Sequence, residues 1–403
     1  MLIYLLVRTF GLFIRMLPYP AVHALGRVGG SFLYYFHTPF RKKAMNNLAV
    51  AYENDLSEEE RKKIAKRTFR NLVITCLEFF RLDKKHLDQL IIPSNGDAVV
   101  DFYKKKQGMV FFSGHQANWE IPFLAVTHNC GPGIAIGRPI KNRRLYNWVL
   151  SVREMCGGKI VMPRNALKEG LKALKRGEFI GIVGDQALPE SDYSYPLFGT
   201  RAWTTTAPAL LAYKTESPLI VALTKRIKNQ YLVHVCDPIW PDKDKPMKEE
   251  VPRMMDAALQ LFEASIREQP DQWMWVHDRW KQQAVDHVKR EYRYGFVCII
   301  LPKDFDRALL ELLRRIYPRS FLTLYSPTPV ALEEAKIFTY NTVDELFKRD
   351  WKQQLILDFV GLPKLRRHYT KLGAVKAVYL PADAEQIKMR LVKSDCQKVV
   401  ENA

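Results

Sequence analysis

The sequence predicts a mixed α/β protein in which two sheet-bearing parts follow a short apolar helix, and three observations predict it. Strand-like and helix-like segments alternate through the middle of the chain, with strands at 159–162, 179–183 and 219–223 and helices at 166–176 and 205–215. The alternation starts afresh after residue 285, where the charged stretch 286–293 gives way to the apolar run Phe296-Val297-Cys298-Ile299-Ile300-Leu301. The first twenty residues carry two apolar runs, broken by Arg8 and Arg15 and closed by Pro18 and Pro20. The expected divisions are therefore an N-terminal helix over 1–20, a main domain over 21–284 and a smaller α/β domain over 295–403.

A spanning helix needs about 20 apolar residues, and the N-terminal run is shorter and charged at its middle. Arg8 and Arg15 are two helical turns apart and share a face, which predicts an interfacial helix whose arginines reach lipid phosphates; a tilted span is the alternative. Ser57-Glu58-Glu59-Glu60 reads as a capping box that opens a long amphipathic helix to about residue 80. Met109-Val110-Phe111-Phe112 reads as a buried strand, Gly114 as the turn after it, and 117–126 as a helix with Pro122 in its first turn. Thr204-Thr205-Thr206 precedes the 205–215 helix, where capping is the expected use of the hydroxyls. The block from Trp273 to Trp280 alternates apolar with polar residues, as a half-buried strand does. Beyond 295 the expected order is helix 305–316, strand 321–325, a strand near 336–340, a helix from Val343, strand 355–359, helix 364–372 and strand 375–380, a unit of Rossmann type. It holds neither a Gly-x-Gly-x-x-Gly loop nor a Walker sequence, so no nucleotide site is assigned to it.

The formal net charge is +19 and the sequence pI about 9.5, which calls for an anionic partner such as a phospholipid surface, a phosphorylated glycolipid or an acidic carrier protein. Nucleic acid is set aside, because there is no zinc-finger spacing, RNA-recognition motif or basic tail and the charge is spread along the chain. The six cysteines form no Cys-x-x-Cys pair, and no small-residue cleavage site follows the N-terminal run. Both point to a reducing, cytoplasmic setting without structural zinc.

Chemistry gathers at Gly114-His115-Gln116-Ala117-Asn118-Trp119-Glu120. A histidine there leaves a strand at its carboxyl end, the edge where open α/β sheets bind substrates. Its imidazole can take the proton of a hydroxyl as that oxygen attacks an activated carbonyl, while Glu120 would hold the other ring nitrogen and fix the tautomer. With nine histidines in the chain, a His-x4-acid spacing arises about once by chance, so neighbouring motifs must carry the weight. Asp185 closes the strand-like Phe179-Ile180-Gly181-Ile182-Val183 and either orients a partner at the same sheet edge or caps a turn. Arg138 and Arg153 could hold phosphate through planar guanidinium groups. His277 and Arg279 either face the cleft or pack in the core.

Taken in order, these blocks, with Gly137-Arg138-Pro139, Gly184-Asp185-Gln186, Tyr195-Pro196-Leu197-Phe198-Gly199 and Gln272-Trp273-Met274-Trp275, resemble the late acyltransferases of lipid A biosynthesis over residues 1–282. The resemblance implies a glycerol-phosphate-acyltransferase-like sheet flanked by helices. It makes His115 and Glu120 the catalytic pair, and a glutamate rather than an aspartate at the second position favours the lipid A branch of that superfamily. The family's essential arginine and aspartate fall on Arg153 and Asp185. It further implies an acyl carrier protein thioester as donor, a lipid A precursor as acceptor, no cofactor or metal, and a place on the cytoplasmic face of the inner membrane. Rival expectations are a lysophospholipid or glycolipid acyltransferase that uses acyl-CoA, and a membrane-surface scaffold with a vestigial site. The family ends before residue 295, so the C-terminal part lies outside the resemblance.

Overall fold

A computed structural model describes residues 1–53, 55–283 and 285–396 and has the expected mixed α/β character. The chain opens with four helices, α1 (Leu2–Met16), α2 (Tyr19–Phe36), α3 (Thr38–Ala51) and α4 (Glu58–Phe79). There follow α5 (Leu87–Leu90), β1 (Ile91–Ser94), α6 (Asp97–Lys104), β2 (Met109–Ser113), α7 (Ile121–Asn129), β3 (Gly133–Ile136), α8 (Arg143–Arg153), β4 (Lys159–Val161), α9 (Ala166–Lys175) and β5 (Phe179–Val183). Next come the hairpin β6 (Ser194–Leu197) and β7 (Thr200–Trp203), then α10 (Ala207–Thr215), β8 (Leu219–Ile227), β9 (Gln230–Val235) and α11 (Met247–Glu268). The remainder is β10 (Phe296–Ile300), α12 (Ala308–Ile316), β11 (Phe321–Ser326), β12 (Ala335–Thr339), β13 (Leu355–Asp358), α13 (Pro363–Lys371), β14 (Lys376–Tyr379) and α14 (Ala384–Leu391).

Two compact units result, one from Met1–Phe36, Lys63–Gln186 and Thr204–Met274, the other from His37–Lys62, Ala187–Trp203 and the described residues from Trp275 onward. The first holds a seven-stranded sheet of order β1-β9-β8-β2-β5-β3-β4, parallel throughout except between β8 and β9. Strand β2 is buried along its whole length, because Phe111 faces the cluster that includes Val126 of α7 while Phe112 meets Phe262 of α11 at 5.7 Å between ring centroids. A strand covered on both faces reads as a continuous apolar run rather than an alternation, which is why 109–112 is legible as it is.

The second unit is built on an all-parallel five-stranded sheet of order β12-β11-β10-β13-β14. Along β10 the residues alternate between two cores: Val297 and Ile299 join Leu313 of α12 and Ile387 of α14, whereas Cys298 and Ile300 join Leu365 and Tyr369 of α13. Helices thus cover both faces. The expected boundary at 284–295 separates the two large sheets but not the two units, since 37–62 and 187–203 are compact with the C-terminal sheet. Buried amides on α3 account for the first transfer: Asn47 Nδ2 donates to the Trp275 carbonyl at 2.7 Å, and Asn46 Oδ1 accepts from Gln354 at 3.1 Å. The hairpin is held likewise, with Trp280 Nε1 on the Thr200 carbonyl at 3.1 Å and Arg279 Nη1 on that of Trp203 at 3.0 Å. Residues 397–403 of the expected C-terminal domain lie outside the described residues.

Several local expectations meet corrections. The helix after Gly114 starts at Ile121 and not at 117, because Ala117 is left-handed (φ 46°) and the intervening residues form a loop; Pro122 still lies in the first turn. Residues 273–280 are not a strand, since only Trp273 pairs there, in an isolated antiparallel bridge with Gln116. The capping box is present, Ser57 N–H reaching Glu60 at 2.8 Å and Glu60 N–H returning to Ser57 Oγ at 3.3 Å. The helix expected from 205 starts at Ala207, its N-cap Thr206 makes no side-chain capping bond, and Thr205 Oγ1 accepts the Ala207 N–H at 3.2 Å in the turn before it. Among the described residues no helix is long and apolar enough to cross a membrane. Arg8 and Arg15 do share a face of α1, but it is the face turned to the protein: Arg8 lies over the Trp148 ring at 5.2 Å and Arg15 is 3.5 Å from Asp83, with Gly11 and Ile14 buried between them.

Replacing Asn47 by Ala leaves the Trp275 carbonyl without its donor, and is expected to cost about 1–3 kcal/mol in a urea or thermal unfolding transition of the intact chain.

Candidate active site

Strand register assembles the site. Ser113 of β2 pairs with Val183 of β5, so His115 and Asp185 follow at the same offset from the carboxyl ends of neighbouring parallel strands. The chain must turn sharply between strand and histidine, and Gly114 permits it: a Cβ there would fall 2.0 Å from Phe262 and 3.0 Å from Asp185 Cγ. Asp185 is 3% exposed, and its carboxylate accepts three hydrogen bonds. His115 Nδ1 lies 2.7 Å from Oδ1, while Oδ2 takes the His115 backbone N–H at 2.8 Å and the Trp273 indole N–H at 2.8 Å.

The carboxylate that orients His115 is therefore Asp185, which corrects the expectation that Glu120 does so. Glu120, at the start of α7, is gripped instead by Arg153, the last residue of α8, through Nε to Oε2 at 2.7 Å and Nη2 to Oε1 at 2.6 Å. This bidentate fork engages both oxygens, while His115 Nδ1 is held by Asp185. Glu120 still acts on the ring through space. Burial alone would depress the His115 pKa, but the charge and hydrogen bond of Asp185, with Glu120 adding, lift it above the ordinary 6.5. Burial would raise Asp185, yet the facing imidazole and the three donors bring it down to about 2. Arg153 is likewise discharged less easily than usual: burial opposes its charge, and Glu120 outweighs burial.

The loop between His115 and Glu120 is held on two sides. Opposite it runs 272–274, with the Ala117 N–H on the Gln272 carbonyl at 2.7 Å and the Met274 N–H on that of His115 at 3.1 Å. Beneath it, α4 presents Asn71, Thr75 and Glu78, spaced at i, i+4 and i+7 on one face. Thr75 Oγ1 and Asn71 Nδ2 donate to the carbonyl of left-handed Ala117 at 2.7 and 3.3 Å. Asn118 is fully buried, directs Nδ2 toward Tyr231 Oη at 3.4 Å and accepts the Glu120 N–H on Oδ1 at 3.3 Å. Arg226 of β8 ties these groups together, reaching Thr75 at 3.0 Å and Glu78 at 2.8 Å and bonding Asn71, while Tyr231 also bonds Glu78. His23 of α2 completes the set at 2.8 Å from Glu78. Burial would raise the Glu78 pKa; Arg226, His23 and Tyr231 hold it below the ordinary value instead.

His115, Glu120, Arg153 and Asp185 thus meet in the first unit. Arg138 is exposed just after β3, next to Gly137, whose position for a Cβ is 3.6 Å from Arg153 Nη1. His277 and Arg279 belong to the second unit, where His277 Nε2 accepts the Ala187 N–H at 3.2 Å and Arg279 is 2% exposed, as core packing requires. Sequence reading missed Trp273 as a donor to Asp185, and missed Asn71, Thr75, Glu78 and Arg226 altogether. The one available signal was the Asn-x3-Thr-x2-Glu spacing, polar residues on the helix face that apolar side chains normally fill.

Residues 1–282 match the model of a family described as bacterial lipid A biosynthesis acyltransferase. Over 274 residues the chain is 26% identical to the lipid A biosynthesis lauroyltransferase of Escherichia coli strain K12, an overlap of 66% of this chain and 87% of that relative. Over 280 residues it is 26% identical to the lipid A biosynthesis palmitoleoyltransferase of the same strain, and equally to a lipid A biosynthesis acyltransferase of Shigella flexneri, covering 67% of this chain and 88% of each.

Two outcomes are expected. By NMR titration His115 should lose its proton above pH 6.5, and Asp185→Asn should shift that transition to lower pH, since burial is then opposed only by the through-space charge of Glu120. The sign for stability follows: the His115 contribution is whole below pH 6.5 and fades as pH rises through its folded value, whereas that of Asp185 is present above 3.8 and fades as pH falls toward about 2. Arg226→Met removes the guanidinium that neutralises buried Glu78, leaving it only His23 and hydrogen bonds, and should lower unfolding stability by about 3–5 kcal/mol, part of which Glu78→Gln in the same chain restores.

Proposed function

Since the chain belongs to the bacterial lipid A biosynthesis acyltransferase family and is an acyltransferase of lipid A biosynthesis, we propose that it moves a fatty acyl group from an acyl carrier protein thioester to a hydroxyl of a lipid A precursor. The observation that carries this reading is the His115–Asp185 pair at 2.7 Å on the carboxyl edge of the sheet, within the matched residues.

Asp185 fixes the tautomer with the proton on Nδ1, which leaves Nε2 basic. Nε2 takes the acceptor's hydroxyl proton as the oxygen attacks the thioester carbonyl. The tetrahedral intermediate collapses by breaking the carbon–sulfur bond, and the departing thiolate receives the proton back from the imidazolium. The buried Asp185 stabilises that imidazolium without taking its proton. No serine or cysteine is needed, because the acceptor hydroxyl is itself the nucleophile. Glu120 adds negative charge beside the ring, and Arg153 holds Glu120 in place. Arg138, exposed at the same edge, and the outer N–H groups of Arg153 offer positive charge to substrate phosphate or to the developing oxyanion.

In this reading the seven-stranded sheet is of glycerol-phosphate-acyltransferase type and the five-stranded unit of Rossmann type, its order matching the first strands of a doubly wound sheet. Donor docking draws on the basic charge of the chain. The enzyme works at the cytoplasmic face of the inner membrane, attached through α1, whose outward residues Leu2, Leu5, Leu6, Leu12, Phe13 and Met16 are exposed and apolar.

The protein purified in detergent should transfer acyl chains from carrier-protein thioesters to a lipid A precursor. His115→Ala should reduce this to about a thousandth or less, and Asp185→Asn by roughly 10³–10⁴-fold in kcat. Full activity in His115→Ala would overturn the general-base assignment, and transfer to lysophospholipid from coenzyme A thioesters alone would overturn donor and acceptor together.

A further inference from the structure

Helix α2 carries an apolar stripe that the reaction does not use. Leu25, Val28, Phe32 and Phe36 recur at intervals of three and four, so they line one face. That face is open: Val28 is 69% exposed, Phe32 58% and Phe36 71%, and the rings of Phe32 and Phe36 stack at 4.4 Å. The opposite face, with Val22, His23, Gly26, Gly30 and Tyr34, is buried. Glycines bring it close to α4, for a Cβ at Gly26 would lie 2.5 Å from Ile74 and one at Gly30 2.4 Å from Arg70 Cα. Small residues at a helix contact with large apolar ones turned outward are the arrangement of helices that face lipid.

The stripe continues the apolar face of α1. Gly11 of α1 is pressed against Phe80, Ile14 and Val22 share a cluster with Leu77, and Gly26 and Gly30 follow at Ile74 and Arg70. Both helices therefore lie along one stripe of α4 and turn their outer faces away from it. Charge adds a second, independent observation. Neither helix contains an Asp or Glu, while together they carry Arg8, Arg15 and Arg27. The elbow between the two helices opens on a cavity of about 340 Å³ whose wall holds Arg15 and Arg81 together with Asp83, the partner of Arg15. Two helices with no acid of their own, apolar on the outward face and carrying exposed Arg27 beside it, match an anionic lipid surface.

We propose that α2 is a second lipid-contacting element, lying with α1 in the headgroup boundary of an anionic membrane through Leu25, Val28, Phe32 and Phe36. At 18 residues it is about 27 Å long at 1.5 Å per residue, enough to fix the orientation of the first unit on the surface where a single interfacial helix leaves it free to roll.

The test is flotation of the full chain with vesicles of phosphatidylglycerol and phosphatidylethanolamine, beside vesicles of phosphatidylcholine alone. Val28→Glu with Phe32→Glu should weaken binding to the anionic vesicles roughly tenfold or more although α1 is intact. Val28→Lys with Phe32→Lys should lose much less there and fail on phosphatidylcholine, a split that a protein-binding face would not show. Circular dichroism and melting should match wild type for both, and Phe32→Ser serves as a milder substitution if either pair melts early. Unchanged flotation of the glutamate pair overturns the proposal. So does equal loss in both pairs accompanied by a fall in mass by light scattering, which would make the stripe a contact between two copies. Binding is read without acyl transfer, so its failure and that of the proposed reaction are separate results.

Discussion

Everything in the candidate site depends on one buried carboxylate. Removing Asp185 from water costs several kcal/mol unless its oxygens are fully engaged, and three donors engage them: the His115 ring, the His115 backbone and the Trp273 indole. Each donor constrains a different stretch of chain. The ring fixes the tautomer, the backbone bond fixes the strand-to-loop turn that Gly114 makes possible, and the indole draws 272–274 alongside the loop, where two backbone bonds hold it. One electrostatic requirement thus sets the orientation of the His115 imidazole and the path of both segments that flank it.

A second buried carboxylate does for the loop's base what Asp185 does for its tip. Glu78 is 3% exposed and is balanced by Arg226, Tyr231 and His23. The network reaches the loop through Asn118 and through Thr75 on the Ala117 carbonyl. Left-handed geometry at Ala117 costs about 1 kcal/mol or more for a residue with a Cβ, and hydrogen bonds to both its N–H and its carbonyl hold it there. Glu120 is the third acid of the site and has its own cation in Arg153. Three acids, each matched to a separate base, keep the negative charges from competing for His115, and only Asp185 meets the ring directly.

Much of this was legible one residue at a time. The apolar run of β2, the capping box of α4, the strand ends carrying His115 and Asp185, and the restart of the α/β pattern near 296 each depend on local spacing. The pairings were not. His-x4-Glu invites a bond between the two residues it names, whereas the observed partners of His115 and Glu120 are 70 and 33 positions away. The block at 273–280 resembled a strand because tryptophans alternate with polar residues, yet it turns too often to pair beyond Trp273. On α1, spacing placed Arg8 and Arg15 on one face correctly but could not say which way that face turns. Gly11 between them marks the side that packs closely, and its contact with Phe80 settles the direction.

The sequence by itself determined the residue types available for chemistry and the sheet edge at which they emerge, because burial of a strand and the turn that ends it are written in a few consecutive positions. Tertiary structure alone decided which carboxylate holds His115, how Glu78 and Arg226 support the loop, and that 37–62 and 187–203 are compact with the C-terminal sheet. Those outcomes depend on parallel-strand register and on satisfying buried amides and charges across long separations. The partner that relieves a buried charge is chosen by distance in space, and a linear spacing does not contain that distance.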